Sequence, residues 1–322
     1  MDTSEEEWWK VPSGHKSGFV ALIGRPNVGK STLMNTLLGH KVAIVTPKPQ
    51  TTRNTMLGIL TRPDCQIIFV DTPGIHKPLH KLGEYMVEVA LQTLQDADAI
   101  LWLVDVSGEP RDEDLIISRR LEHVRGKRPI VMAGNKVDLI PPEEVNEREQ
   151  IFRPLAPNSV WIPISAVRGD GLQELVSALR DLLPEGPRLY PPDQLTDAQE
   201  RFIAAEVIRE KALLLLRQEV PYAIAVVVNE YKERRDDLLY ISATIYVERD
   251  SQKGIVLGQG GRMLKRIGTS AREELEAITG KKVFLDLWVK VRPRWRKDEN
   301  ALRWFGYKIP KNKGGDNRSS RR

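Results

Sequence analysis

The sequence of 322 residues predicts an α/β domain with a doubly wound, mostly parallel sheet, followed by a smaller α+β domain. Three observations carry this. Short apolar runs recur through the first half with amphipathic helical stretches between most of them, the pattern of parallel strands buried on both faces. Prolines and glycine at Pro184-Glu185-Gly186-Pro187 and Pro191-Pro192 then break the helical pattern. Beyond them the order becomes helix, two strands, glycine-rich segment, helix and strand.

The apolar runs cover residues 19–23, 66–70, 99–104, 130–133 and 160–164, with 55–60 as an extra edge strand. Residues 31–38, 83–94 and 171–183 carry helical periodicity. After the proline break, a long helix is expected from near Thr196 through Ile203, Val207 and Leu214. Residues 223–229 and 240–248 read as paired strands joined by the turn Arg234-Arg235-Asp236-Asp237. Ile241, Ala243, Ile245 and Val247 alternate with Ser242, Thr244 and Tyr246, so one face of the second strand is buried. Residues 282–291 form the last strand. The expected boundaries are a flexible tail over 1–15, a first domain over 16–184, a linker over 185–195, a second domain over 196–307 and a basic flexible tail over 308–322.

The chain is 41% hydrophobic and 29% charged, as expected of a globular protein with a sizeable core. No apolar run reaches the roughly 18 residues of a spanning helix. The acidic start, with Trp8 and Trp9, has no signal-peptide pattern and reads as a frayed tail. The single cysteine, Cys65, cannot form an internal disulfide and leads an apolar strand, so it reads as core packing in a reducing cytosol. The net charge of +5 is unevenly placed: residues 201–322 hold 27 Lys/Arg against 16 Asp/Glu, and residues 1–200 hold 22 against 28. A basic second half suits a polyanionic partner; it equally suits a solvated, lysine-rich surface.

Gly24-Arg25-Pro26-Asn27-Val28-Gly29-Lys30-Ser31, followed by Thr32, matches the phosphate-binding pattern G-x-x-x-x-G-K-[ST] between an expected strand and helix. Such a loop wraps phosphate oxygens with backbone N–H groups and a helix N-terminus. Lys30 adds charge at the outer phosphates, and the Ser31 hydroxyl can ligate Mg²⁺. Asp71-Thr72-Pro73-Gly74 follows the second buried run, where a carboxylate reaches the Mg²⁺ shell and the Gly74 N–H a γ-phosphate. Asn135-Lys136-Val137-Asp138 follows the fourth run. The Asp138 carboxylate accepts from both N1–H and the exocyclic amine of guanine; adenine would leave buried acceptors unpaired, at about 1–3 kcal/mol each. The Lys136 stem can cover the base, and Asn135 can tie this loop to the phosphate loop. Ser165-Ala166 would complete the base pocket through backbone N–H groups facing guanine O6.

These motifs, in this order, resemble the translation-factor-related class of GTPases, which implies GTP as substrate with Mg²⁺. Residues 46–53 are polar and proline-broken and read as a mobile loop, with Gln50, Thr51, Thr52, Arg53 and Asn54 as the switch residues. By the resemblance, Thr52 is the first choice and Thr51 the second for the Mg²⁺ ligand that joins Ser31 and Asp71. Ile75 stands where Ras-like GTPases carry the glutamine that orients water, and isoleucine cannot do this. Either other groups position the water, or intrinsic hydrolysis is slow and a partner stimulates it. In the subgroup with a hydrophobic residue there, a phosphate-loop asparagine, here Asn27, is associated with K⁺; the other reading is that Asn27 braces the loop.

In the second half, Gly258-Gln259-Gly260-Gly261 is flanked by the apolar Ile255, Val256 and Leu257 and by Ile267, Ala271, Leu275 and Ile278 at helical spacing. Arg262, Lys265 and Arg266 follow the loop. A side-chain-free loop leading into a helix can press on a nucleic-acid backbone, the KH arrangement that holds about four nucleotides of single strand. The element order resembles the type II KH fold. With an α/β P-loop GTPase domain in front, nearly the whole chain resembles the bacterial Era family, most specifically at Pro49-Gln50-Thr51-Thr52-Arg53, the KH loop and Leu285-Asp286-Leu287-Trp288-Val289-Lys290-Val291. The resemblance implies a monomeric, cytoplasmic GTP/GDP switch. Its KH domain would bind the 3′ end of small-subunit ribosomal RNA, and the protein would associate with the precursor small subunit and, peripherally, with the inner membrane.

Other classes fit less well. An RNA-binding adaptor with a purely structural GTPase domain would show slow or absent turnover. An RNA-modification GTPase is disfavoured by the lack of a C-terminal cysteine. One phosphate-loop set excludes a double-GTPase factor, and the guanine-reading motif argues against a kinase.

Overall fold

The computed structural model describes residues 8–48, 51–75, 78, 80–122 and 128–307. Pro49 and Gln50 of the switch loop, the first residues of the N-terminal tail and the whole basic tail after Tyr307 lie outside the described residues.

The first domain contains β1 (Lys16–Ile23), α1 (Lys30–Leu38), β2 (Met56–Thr61), β3 (Cys65–Asp71), α2 (Lys81–Asp96), β4 (Ala99–Asp105), α3 (Asp112–Glu122), β5 (Ile130–Asn135), α4 (Val145–Phe152), β6 (Val160–Ile164) and α5 (Leu172–Leu182). The sheet order is β2-β3-β1-β4-β5-β6. The pairings are parallel except for β2, which lies antiparallel on β3. Val20, Leu22, Leu101 and Val131 pack toward α1 and α5, while Ala21, Ile23, Trp102 and Met132 pack on the opposite side. Each central strand is therefore apolar on both faces, and the C-termini of the parallel strands point to the same edge, where ligands of such sheets bind. The expectation of burial on both faces fails for β6. It is an edge strand, and Val160 is 44% exposed. Cys65 is buried, and burial pushes its thiol up to about 11, consistent with packing.

The linker lies against the sheet. Gln66 accepts from the N–H groups of Leu189 and Tyr190 at 2.7 and 2.9 Å and donates to the Tyr190 carbonyl at 2.8 Å. Ile59 N–H donates to Leu195 O at 2.9 Å. The Ile59 bond occupies a backbone donor that edge strand β2 would otherwise present to solvent, and the linker supplies the partners of the buried Gln66 amide.

The second domain contains α6 (Glu200–Leu215), β7 (Ala225–Arg235), β8 (Leu238–Val247), α7 (Asp250–Leu257), α8 (Arg262–Thr279), β9 (Lys282–Val291) and α9 (Glu299–Trp304). β7 and β8 are antiparallel, and β8 and β9 parallel. Helices α6 and α8 cover one face through Val207, Ile208, Ile267 and Ala271, against Ile241, Ala243 and Ile245. β7 runs six residues past the expected end because pairing with β8 overrides its charged sequence, with irregular register between Val228 and Glu230 and between Glu233 and Arg235. α6 begins at Glu200 rather than near Thr196, since the Thr196 hydroxyl accepts from Ala198 N–H and forms a local turn. α9 was not expected from periodicity; Asp298 caps it by accepting from Asn300 N–H at 3.0 Å.

The domains meet over an apolar seam. Leu82, Tyr85 and Met86 of α2 pack with Ala225, Trp295, Leu302 and Tyr307. The Trp295 indole N–H donates to Ala223 O at 2.8 Å.

Candidate nucleotide and nucleic-acid sites

The phosphate loop joins β1 to α1. Lys30 is buried and donates to the carbonyls of Gly24 and Arg25 at 3.0 and 3.1 Å. Ser31 Oγ donates to Asp71 Oδ2 at 3.0 Å and lies 3.1 Å from Thr52 Oγ1. Thr51 lines the same cavity, but its hydroxyl is bonded to Thr46 at 2.7 Å and to Lys48 O at 2.7 Å. Asp71 Oδ1 is buried with no hydrogen-bond partner among the described residues. Three converging oxygen-bearing side chains and an unpaired carboxylate oxygen fit a hard, oxygen-seeking dication such as Mg²⁺. Among the described residues no cluster of three His, Cys, Asp or Glu offers an alternative metal site. Burial pushes Asp71 up to about 6, opposed by Lys30, Ser31 and Thr52. Burial draws Lys30 down to about 8, opposed by Asp71. A cavity of about 410 Å³ lies over these groups, lined among others by Asn27, Lys30, Ser31, Thr46, Thr52, Gly74 and Lys136.

The base-side motifs are cross-linked to this loop. Asn135 donates to Val28 O at 2.7 Å and accepts from Ala166 N–H at 2.9 Å. The close approach explains Gly29: its φ is +104°, and a Cβ there would lie 2.3 Å from Asn135 Nδ2. Ser165 Oγ donates to Asp138 Oδ1 at 2.7 Å, which orients the carboxylate. The two N–H groups expected to face the base are used within the protein, Ser165 N–H by Asp170 O and Ala166 N–H by Asn135. Ser165 and Ala166 here hold Asp138 and Asn135 in place. Lys136 donates to Asp105 at 2.7 Å, and Asp105 also accepts from Arg25, which pairs with the buried Asp114. Asp105 was missed in the sequence because no motif surrounds it. Its place at the end of β4 beside Asn135 brings it to the site.

Thr72 Oγ1 donates to Leu22 O at 2.8 Å and anchors the turn after β3. Ile75 is 1% exposed in the core against Ile23 and Trp102, so its side chain cannot reach a water beside the phosphates. Asn27, at φ +64°, donates to Pro47 O at 2.7 Å and so connects the phosphate loop to the switch loop.

The switch loop is also held by the second domain. Lys48 Nζ donates to the carbonyls of Leu213 and Leu216 at the end of α6. Arg209 donates to Thr51 O. Arg53, 2% exposed, donates to Ile224 O at 2.7 Å and Tyr222 O at 3.1 Å and lies 5.7 Å over the Trp295 ring. Glu210 accepts from Val45 N–H at 2.8 Å and from Lys41 at 2.6 Å. Asn54 Oδ1 is 3.4 Å from the Tyr85 hydroxyl of α2.

In the second domain, Gly258, Gly260 and Gly261 have φ of +69°, +60° and +77°. No atom lies within 4 Å of a Cβ built on Gly260 or Gly261, whereas one on Gly258 would lie 2.7 Å from Met263 Cβ. The loop therefore has an open side and a packed side. It delivers the chain to the N-terminus of α8, where Arg262, Lys265 and Arg266 follow. A groove of about 460 Å³ runs from Gly261 between α8 and β9, lined by Leu264, Lys265, Thr269, Arg272, Phe284 and Leu287. Gln259, Arg262 and Arg266 stand outside its lining. Thr269, Arg272, Phe284 and Leu287 were not anticipated, although 60% exposure of Phe284 on a strand is the kind of signal alternation can flag.

Residues 19–136 match the family model described as 50S ribosome-binding GTPase, and residues 219–296 match the KH domain model. GTPase Era of Ruminiclostridium cellulolyticum is 50% identical over 298 residues, 92% of this chain and 99% of that protein. The chain belongs to the Era family of GTPases. Two solved Era structures agree: a single-residue variant of Aquifex aeolicus Era bound to GDP·AlF4⁻, and Era in complex with MgGDPNP and nucleotides 1506–1542 of 16S ribosomal RNA. Each is 44% identical, with a TM-score of 0.87 over 91% of this chain and 99% of the other. Era-family membership makes the first domain a P-loop GTPase domain and the second a KH domain.

Proposed function

We propose that this chain hydrolyses GTP with Mg²⁺ and uses the nucleotide state to govern a KH domain that binds the 3′ end of 16S ribosomal RNA during small-subunit assembly. The RNA assignment is supported by the 16S complex of a relative matched over nearly its whole length, which outweighs the description of a model covering the first domain alone. The observation that carries the switch reading is the shared loop. Thr52 stands at the Ser31–Asp71 site, while its neighbours Thr51 and Arg53 are bonded to the second domain. Movement of Thr52 with the γ-phosphate therefore pulls on groups that the KH domain holds.

Ser31, Thr52 and Asp71 would hold Mg²⁺, which neutralises charge on the β- and γ-phosphates. Lys30 binds the outer phosphates, and the loop N–H groups from Gly24 to Thr32 cradle the rest. Asp138, oriented by Ser165, selects guanine; Asn135 keeps the base and phosphate loops in register; Lys136, steadied by Asp105, lies along the base. Because Ile75 is in the core, water must be positioned by other groups, and the amide oxygen of Asn27 is the candidate ligand for a K⁺ that offsets developing charge. On the RNA side, Gly260 and Gly261 admit the backbone, and Arg262, Lys265 and Arg266 meet phosphates. No described helix is long and apolar enough to cross a membrane. Peripheral inner-membrane association of a cytoplasmic monomer is part of the proposal on family resemblance.

The test is binding of a labelled 16S 3′-end RNA by protein loaded with a non-hydrolysable GTP analogue and by protein loaded with GDP. The expected result is a clear difference in affinity. Equal affinities would overturn the switch reading, and failure of unlabelled GTP to outcompete ATP would overturn the nucleotide assignment.

A further inference from the structure

The three-stranded sheet of the second domain has a second face, turned away from α6 and α8. Strand alternation places Tyr240, Ser242, Thr244 and Tyr246 of β8 there, level with Phe284, Asp286, Trp288 and Lys290 of β9. Phe284 is 60% and Trp288 58% exposed, a rare arrangement for two large rings on one edge strand. The rings are also ordered. Tyr240 and Phe284 stack with centroids 5.8 Å apart, and Trp288 Nε1 donates to Asp286 Oδ2 at 2.9 Å, which fixes the indole. Cations alternate with the rings: Arg234 lies 4.0 Å from the Tyr240 ring, Lys290 is exposed beyond Trp288, and Arg292 lies 4.5 Å from the half-exposed Trp304. Of the acidic groups on this face, Glu230 is paired with Lys232 at 2.5 Å, and Asp286 keeps its charge while accepting from the Trp288 indole.

We infer that this face is a stacking platform for single-stranded RNA, taking bases that extend past the segment held at the glycine loop. The inference rests on the RNA reading of the groove given above. Two observations select RNA as occupant. Phe284 belongs to both surfaces, lining the groove beside α8 and stacking on Tyr240 across the edge of β9, so a strand leaving the groove meets the platform directly. Arg234, Lys290 and Arg292 outnumber Asp286, the one carboxylate of this face without a cationic partner among the described residues, and this excess suits phosphates passing between stacked bases. Ordered rings with a free π-face take any base, so the platform would add affinity and length dependence more than sequence preference.

The experiment compares two RNAs from the 3′ end of 16S ribosomal RNA on the full chain loaded with a GTP analogue. One has about four nucleotides, the length a KH loop clamps, and the other is roughly three times longer. The longer RNA is expected to bind more tightly. Trp288→Ala should erase about tenfold of that gain and leave the short RNA unaffected. Trp288→Phe should retain most of the gain, and Trp288→Lys should lose it. Unchanged affinity of Trp288→Ala for the longer RNA would overturn the platform and assign the face to a protein partner or to the chain's own tail. Wild-type affinity in Trp288→Lys would overturn stacking as its basis. Gly261→Asp should weaken both RNAs; if it binds both normally, the groove reading fails and takes the platform with it.

Discussion

Arg53→Ala tests whether the two domains are coupled through the switch loop. Arg53 is buried, and its guanidinium supplies hydrogen bonds to two main-chain carbonyls of the segment leading into β7, at 2.7 and 3.1 Å. Burial lowers its pKa, but a guanidinium stays charged. Hydrogen bonds from a charged donor contribute about 1.5–3 kcal/mol each, and the cost of desolvating Arg53 offsets part of the pair. The variant also leaves both carbonyls short of a donor. A net loss of about 2–4 kcal/mol in domain docking follows, roughly a 30- to 1,000-fold shift in the docked equilibrium. Lys48 and Arg209 still hold the loop, so the chain should remain folded. Calorimetry should resolve a separated or lowered transition for the second domain, and RNA affinity should lose its dependence on GTP against GDP. Arg53→Lys keeps the charge but not the fork, and should fall between. An unchanged transition together with unchanged nucleotide dependence would refute the coupling argument.

Four further outcomes are expected. Asp138→Asn should shift preference from guanine to xanthine nucleotides, measured as competition between GTP and XTP; continued preference for GTP would mean that Asp138 does not read the base. Ile75→Gln should not restore a water-orienting glutamine. It should place an amide in the core beside Trp102 and cost about 1–3 kcal/mol in denaturant unfolding, with no gain in single-turnover hydrolysis. Gly258→Asp and Gly261→Asp both place a side chain at positive φ, but only the one at 258 also meets Met263, so Gly258→Asp should lower the melting temperature further and Gly261→Asp should weaken RNA binding at the smaller cost; equal melting temperatures would contradict the two-sided loop. Turnover should be faster in K⁺ than in Na⁺ buffer, and Asn27→Ala should remove the difference; equal rates in wild type would leave Asn27 only its bond to Pro47.

The motifs and their order were legible without coordinates because their chemistry is local. Phosphate binding needs glycines, a lysine and a hydroxyl within one loop, and each motif follows its strand directly, so chain order alone placed Asp71, Asn135 and Asp138 at one sheet edge. Alternating and helical periodicity likewise placed most strands and the long helices. Boundaries shifted where pairing or a side-chain turn prevailed over propensity, as at β7 and α6. Long-range geometry was not legible. Arg53 is 171 positions from the carbonyl it binds, and no local pattern distinguishes it from a solvated arginine. Asp105 gains meaning only because β4 and β5 are neighbours. Ser165 and Ala166 stood out in the sequence by their place after β6, but only the packed structure brings them into hydrogen bonds with Asp138 and Asn135. Sequence by itself determined which chemistry each loop can perform, since that depends on residue type and near spacing. Tertiary structure alone decided which loops are joined and which faces stay open, since burial and hydrogen bonding between distant segments exist only once the chain has folded.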